Sequence, residues 1–115
     1  VERQLGNLDR AEVLARESLE ISRQREDEWM LPYDLSSLAA IALERGEFER
    51  AAVLIGAAEA VMTAQGAAWP PDERPHYERT IGKLSEAMDA ADFEMARAEG
   101  QRLDPHRAVE LALRR

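Results

Sequence analysis

A nine-residue string that occurs twice constrains this chain more than any other feature. Gly6-Asn7-Leu8-Asp9-Arg10-Ala11-Glu12-Val13-Leu14 returns as Gly46-Glu47-Phe48-Glu49-Arg50-Ala51-Ala52-Val53-Leu54, with five positions identical and two conservative at a spacing of 40. A weaker third copy, Ala91-Asp92-Phe93-Glu94-Met95-Ala96, follows 45 residues later. The shared order (small, polar, large apolar, acidic, any residue, Ala) suits a tight turn between two helices. Glycine reaches positive φ without steric cost, so Gly6 and Gly46 are expected to end helices. A polar residue next in line starts the following helix, which gives that role to Asn7, Glu47 and Asp92. Leu8, Phe48 and Phe93 are expected to plug the space beneath the turn. Ala11, Ala51 and Ala96 are expected where paired helices approach most closely.

Composition favours helices for the rest of the chain. Alanine occurs twenty times, against five Val, four Ile and two Thr. Strands draw on the β-branched group, whereas closely packed helices draw on alanine. With 115 residues the chain makes one domain, residues 1–115. Apolar spacing and end signals predict the tail of a helix over 1–5 and helices over about 8–25, 29–45, 47–65, 73–89, 93–100 and 105–113. Pro32 falls in the first turn of the second of these, and Asp72 is expected to cap the fourth. Asp104-Pro105 supplies an N-cap and a first-position proline for the last. The third is apolar on two sides, with Phe48, Ala51, Ile55, Ala58 and Met62 on one stripe and Leu54 and Val61 on another, and is therefore expected at the centre. The last short helix is expected to cap the array, with Val109 and Leu113 inward and His106, Arg107, Glu110 and Arg114 outward.

The turn resembles the inter-helix turn of tetratricopeptide repeats. Leu38-Ala39, Ala42, Gly46, Phe48 and Ala51 match that pattern in order and spacing, while the repeat length of 40 to 45 departs from the usual 34. A narrower likeness covers residues 46–113. Ala51 to Ala60, Gly66, Pro70-Pro71, Tyr77-Glu78-Arg79, Ala98-Glu99-Gly100 and Ala108 to Leu113 are similar to a recurring segment. That segment ends the tetratricopeptide region of actinobacterial LuxR-type and adenylate-cyclase-like ATP-binding transcriptional regulators. The resemblance implies an all-α fold of antiparallel helix pairs stacked as a short right-handed solenoid. It also implies a module of signal transduction that is a piece of a larger regulator. The Walker loop, cyclase segment and helix-turn-helix of such regulators do not occur here, so those activities would reside elsewhere.

No catalytic constellation emerges from the remaining motifs. His76 and His106 are 30 residues apart and lack metal-ligand spacing. Glu26-Asp27-Glu28 has no calcium-loop spacing around it and reads as a solvated helix junction. The serines lack a neighbouring histidine or a nucleophile elbow. The chain is expected to be no enzyme and to carry neither metal nor cofactor. A net charge of −8 repels polyanions, which argues against nucleic acid and anionic lipid. Of fifteen basic residues only Lys83 is lysine, a bias expected from a GC-rich genome. Zero cysteine, no signal segment and no apolar run of membrane length make the cytoplasm the default location.

A partner would therefore be a protein, or other domains of the same full-length chain. In stacked pairs one helix of each pair lines the concave surface. By the resemblance, those residues are Tyr33, Ser36, Ala40 and Glu44 from the second helix and Arg79, Gly82, Lys83 and Glu86 from the fourth. The competing expectation is a small-molecule effector held between the same two helices. Self-association is a further possibility, through an apolar flank near Leu5, Leu14 and Leu19. Trp29 and Trp69 are expected to pin loops, with Trp69 the better candidate for exposure as a partner anchor.

Overall fold

The computed structural model describes residues 2–25 and 28–114, with side chains from residue 7 onward. Leu5, Glu26 and Asp27, which figured in the expectations above, lie outside the described side chains. The fold is all-α: α1 (Glu2–Arg25), α2 (Leu31–Glu44), α3 (Phe48–Ala64), α4 (Arg74–Ala87), α5 (Ala90–Gln101) and α6 (Pro105–Leu113). No strand occurs among the described residues.

The turn at Gly46 forms as the repeat predicts. Gly46 takes φ +79°. Its N–H donates to the Leu43 carbonyl (3.0 Å), and the Glu47 N–H donates to the Ala42 carbonyl (2.8 Å). These two bonds make a Schellman motif, which satisfies carbonyls the helix end leaves open. The same device recurs at Gly66, with φ +66° and bonds from Gly66 to Thr63 (2.9 Å) and from Ala67 to Met62 (3.2 Å).

Gly6 behaves otherwise. It lies within α1, which runs through it from Glu2 to Arg25. A single glycine costs a helix only about 1 kcal/mol, and a turn replaces the helical ladder only where packing of the next helix offsets the loss. At Gly46 the packing of α3 against α2 does so.

α3 sits at the centre, and every residue from Ala51 to Ala58 is buried. It packs most extensively against α5 and α2. Two glycines set how close α5 comes. A Cβ on Gly56 would lie 2.1 Å from the Arg97 carbonyl oxygen, and one on Gly100 would lie 2.0 Å from the Val53 carbonyl oxygen. The two backbones are thus in direct contact. Ala51, Ala96 and Phe93 are buried as the repeat predicts. Phe48 is not: it is 37% exposed, because it opens α3 one turn outside the buried run that starts at Ala51. Ala11 faces water on α1. Asp92 lies inside α5, whose N-cap is Asp89, and Glu73 rather than Asp72 precedes α4.

The helices do not all stack in sequence order. α4 and α5 barely touch, and α6 folds back onto α1, α2 and α3. Ala108, Val109 and Ala112 bury its inner face, Leu113 is half-buried, and His106, Arg107, Glu110 and Arg114 are exposed. Asp104 caps its start by accepting from the Arg107 N–H (2.8 Å). At its other end, Arg16 of α1 donates to the carbonyls of Ala112 and Leu113. Arg50 of α3 donates to those of Ala112 (3.1 Å) and Arg114 (3.0 Å). Guanidinium groups are well suited to this end, where carbonyls are unpaired and the helix dipole is negative. Arg45, the C-cap of α2, reaches Asp9 and Glu12 (2.7 Å) and so fastens α2 to α1.

Two stability predictions follow from this packing. Gly56→Ala forces a methyl against backbone and should lower stability by roughly 1–3 kcal/mol or more. Gly82→Ala, where a Cβ meets nothing within 4 Å, should raise stability by about 0.5–1 kcal/mol. Urea unfolding of both variants checks the contrast. The second concerns Asp34, which is buried on α2 and accepts a hydrogen bond from Ser18 Oγ (2.8 Å). Burial pushes its carboxyl above the ordinary carboxylate range, and the Ser18 bond only partly opposes this. The folded state therefore holds the proton more tightly than the unfolded chain. That contribution to stability is present at low pH and lost as pH rises through the folded value. Asp34→Asn should accordingly unfold at higher urea than the parent at pH 7, and the gap should close as pH falls toward about 4.

Candidate functional site

α2 is packed on most of its circumference. The stripe left open runs along Tyr33, Ser37, Ala40 and Glu44, at spacings of three and four residues. Facing it, α4 presents His76, Arg79, Thr80 and Lys83, and Leu8 and Ala11 of α1 close one end. With Ser37, Ala40 and Glu44 they line a groove of about 370 Å³, to which Ile41 and Leu43 contribute apolar surface. Lys83 Nζ spans it to Glu44 Oε1 (3.1 Å). Both side chains are about half exposed, so this bridge orients charge more than it stabilises. Thr80 is buried and its hydroxyl donates to the His76 carbonyl (3.2 Å).

Of the expected concave residues, Ala40, Glu44, Arg79 and Lys83 come together here. Ser36 does not. It is 2% exposed and lies off the edge of the open stripe, and Ser37 takes its place. Gly82 and Glu86 are exposed on α4 but do not line the groove. Tyr33 turns to an aromatic cluster. Its ring meets Trp69 edge-on (centroids 6.0 Å, 82°), and Trp69 stacks on Tyr77 (4.7 Å, 18°). Such pairs add to what burial alone provides. Trp69 thus pins the α3–α4 loop, and it is Trp29, 64% exposed, that stands in solvent.

Tyr77 leads to a polar hub that no motif announced. Glu59 on α3 accepts from the Tyr77 hydroxyl, from Arg97 Nε (2.7 Å) and a second Arg97 nitrogen, and from Gln101 (3.2 Å). One carboxylate therefore ties α4 and α5 to the central helix. Burial, followed by the bond to Glu59 and that group's charge, pushes the Tyr77 phenol up to about 12. The bond to Glu59 likewise holds Arg97 above its ordinary range, against the opposing effect of burial. One signal in the sequence pointed here: Glu59 is the only charged residue between Ala51 and Gln65.

The remaining titratable groups do not converge. His106 stands on α6 with Nε2 3.2 Å from Glu110 Oε1, remote from His76 in the groove. No group of three or more His, Asp or Glu side chains suited to a metal gathers among the described residues. Glu28 is described but its neighbours Glu26 and Asp27 are not. Among the described residues no helix is long and apolar enough to cross a membrane. The groove is an apolar strip flanked by both signs of charge. No family model matches the chain, nor does any curated protein or solved structure.

The hub makes two measurable predictions. Glu59→Gln keeps the acceptor but leaves the Arg97 charge without its counterion, and Arg97 is only 27% exposed. The loss should be about 2–3 kcal/mol, below the range for a fully buried pair. Because the Tyr77 phenol is raised in the folded state, its contribution is present below about pH 10 and lost as pH climbs toward about 12. Unfolding followed across that alkaline window should show the loss in the parent and a smaller one in Tyr77→Phe.

Proposed function

We propose that this chain is a non-catalytic protein-interaction and signal-relay module, arranged as a short tetratricopeptide-like array. In this reading it is the kind of segment that ends the helical-repeat region of LuxR-type and adenylate-cyclase-like ATP-binding regulators, and it acts in the cytoplasm. The observation that carries the reading is the groove between α2 and α4. Both helices hold the sequence position of the first helix of a pair, and the groove joins four of the residues that position implies. The Gly46 turn between α2 and α3 supports it, since it reproduces the inter-helix turn on which the resemblance rests. The occupant is a protein segment or another domain of the same full-length chain. Apolar residues fill the middle of the strip, and Lys83 with Glu44 set the register.

A second reading rests on the size of the same groove. About 370 Å³ falls within the range of small-ligand sites, so an effector metabolite could be held there.

Selection of displayed peptides against the protein separates the two. The module reading expects enriched peptides whose binding disappears in Ala40→Arg while the far-ultraviolet spectrum of the variant stays helical. Enriched peptides indifferent to Ala40→Arg would overturn the groove as the site. A metabolite that raises stability by about 2.7 kcal/mol at 100 times its dissociation constant, with no peptide enriched, would favour the effector reading.

A further inference from the structure

A second cleft lies on another face, where the first turn of α3 meets α5 and the end of α4. It encloses about 360 Å³ and is lined by Glu49, Met88, Asp92, Met95, Ala96 and Glu99. On α5, Asp92, Met95 with Ala96, and Glu99 follow one another at spacings of three and four, so they form a single stripe. Met95 is 73% exposed, more than any other large apolar side chain described. Methionine left in water on a packed helix is adaptable apolar surface, of the sort used to receive a side chain from elsewhere.

Every charged residue lining this cleft is acidic. Glu49, Asp92 and Glu99 form no ion pair or side-chain hydrogen bond among the described residues. The cations within α3, α4 and α5 are directed elsewhere, and Arg102, the exposed C-cap of α5, forms no ion pair among the described residues. Arg50 donates to the carbonyls at the end of α6 and Arg97 to Glu59. On α4, Arg74 pairs with Glu78, Lys83 pairs with Glu44, and Arg79 lines the α2–α4 groove. Past Glu49 and Glu99 the surface passes into a wider groove that contains Arg50, Arg107 and Arg114, which confines the acidic character to the Met95 side.

We infer that this cleft docks a basic amphipathic helix of a partner protein, with one large aliphatic side chain seated against Met88 and Met95 and Lys or Arg residues set against Glu49, Asp92 and Glu99. The complementarity of charge selects the partner's chemistry. A basic segment satisfies three unpaired carboxylates, whereas an acidic segment or a phosphate backbone meets like charge. The net charge of −8 adds long-range attraction for the same partner. This site is separate from the α2–α4 groove and does not rest on that reading.

The test uses two labelled helical peptides with Leu at i, i+3, i+4 and i+7, one with Lys and one with Glu at the other positions. Fluorescence anisotropy should show binding of the Lys peptide and none of the Glu peptide. Affinity should fall about tenfold or more in Met95→Ser and in the pair Asp92→Lys with Glu99→Lys. The pair Glu17→Lys with Asp72→Lys, which changes net charge equally on other faces, should leave it within about twofold. Equal weakening by both pairs would overturn the proposal, since net charge alone would then explain the attraction. Loss of binding in Ala40→Arg with retention in Met95→Ser would overturn it too, placing the peptide in the α2–α4 groove. Sedimentation showing a dimer that dissociates in Met95→Ser would assign the cleft to a second copy of this chain and also overturn it.

Discussion

The backbone contact between α3 and α5 is the constraint from which the rest of the arrangement follows. Only the absence of a Cβ at Gly56 and Gly100 lets the two helices come together as they do. Around that contact, alanines continue the small surface, so eight consecutive residues of α3 are buried although few of them are large. Burial here comes from close approach more than from side-chain volume. The same approach brings Arg97 and Gln101 of α5 within reach of Glu59 on α3. With α5 held at that depth, α4 is secured from the side, through Tyr77 on Glu59 and the stack on Trp69.

Arginine makes the remaining joints. Arg45 links α2 to α1, and Arg16 and Arg50 hold the carbonyl end of α6. Each uses a planar, permanently charged fork where several acceptors lie close together, a geometry that a single ammonium matches poorly. At these three positions the guanidinium has a structural use. Because α6 is drawn onto α1, α2 and α3, the outer side of α5 is left uncovered.

The two grooves differ accordingly. The α2–α4 groove carries both signs of charge, partly satisfied by the Lys83–Glu44 pair across it. The α5 cleft carries one sign, unsatisfied, beside an exposed methionine.

Much of this was legible in residue order. The helical class, the bounds of α2 to α6 to within about three residues, the turn at Gly46 and the central place of α3 all rest on local rules, namely periodicity, glycine at positive φ and two-sided apolarity. The open face of α2 was legible except at Ser36, because facing residues follow from spacing until a neighbour covers the edge. Gly6 shows the limit. It has the same local string as Gly46, yet it lies inside α1, so the string by itself does not decide between a turn and a continued helix. Phe48 and Trp69 show it again: whether a ring is covered depends on what arrives from elsewhere in the chain. The sequence by itself determined the elements and one of their turns, because those depend on neighbours three or four residues away. The tertiary structure alone decided the glycine contact, the Glu59 hub, the return of α6 and the acidic cleft, because each joins residues far apart in the chain whose meeting no local pattern encodes.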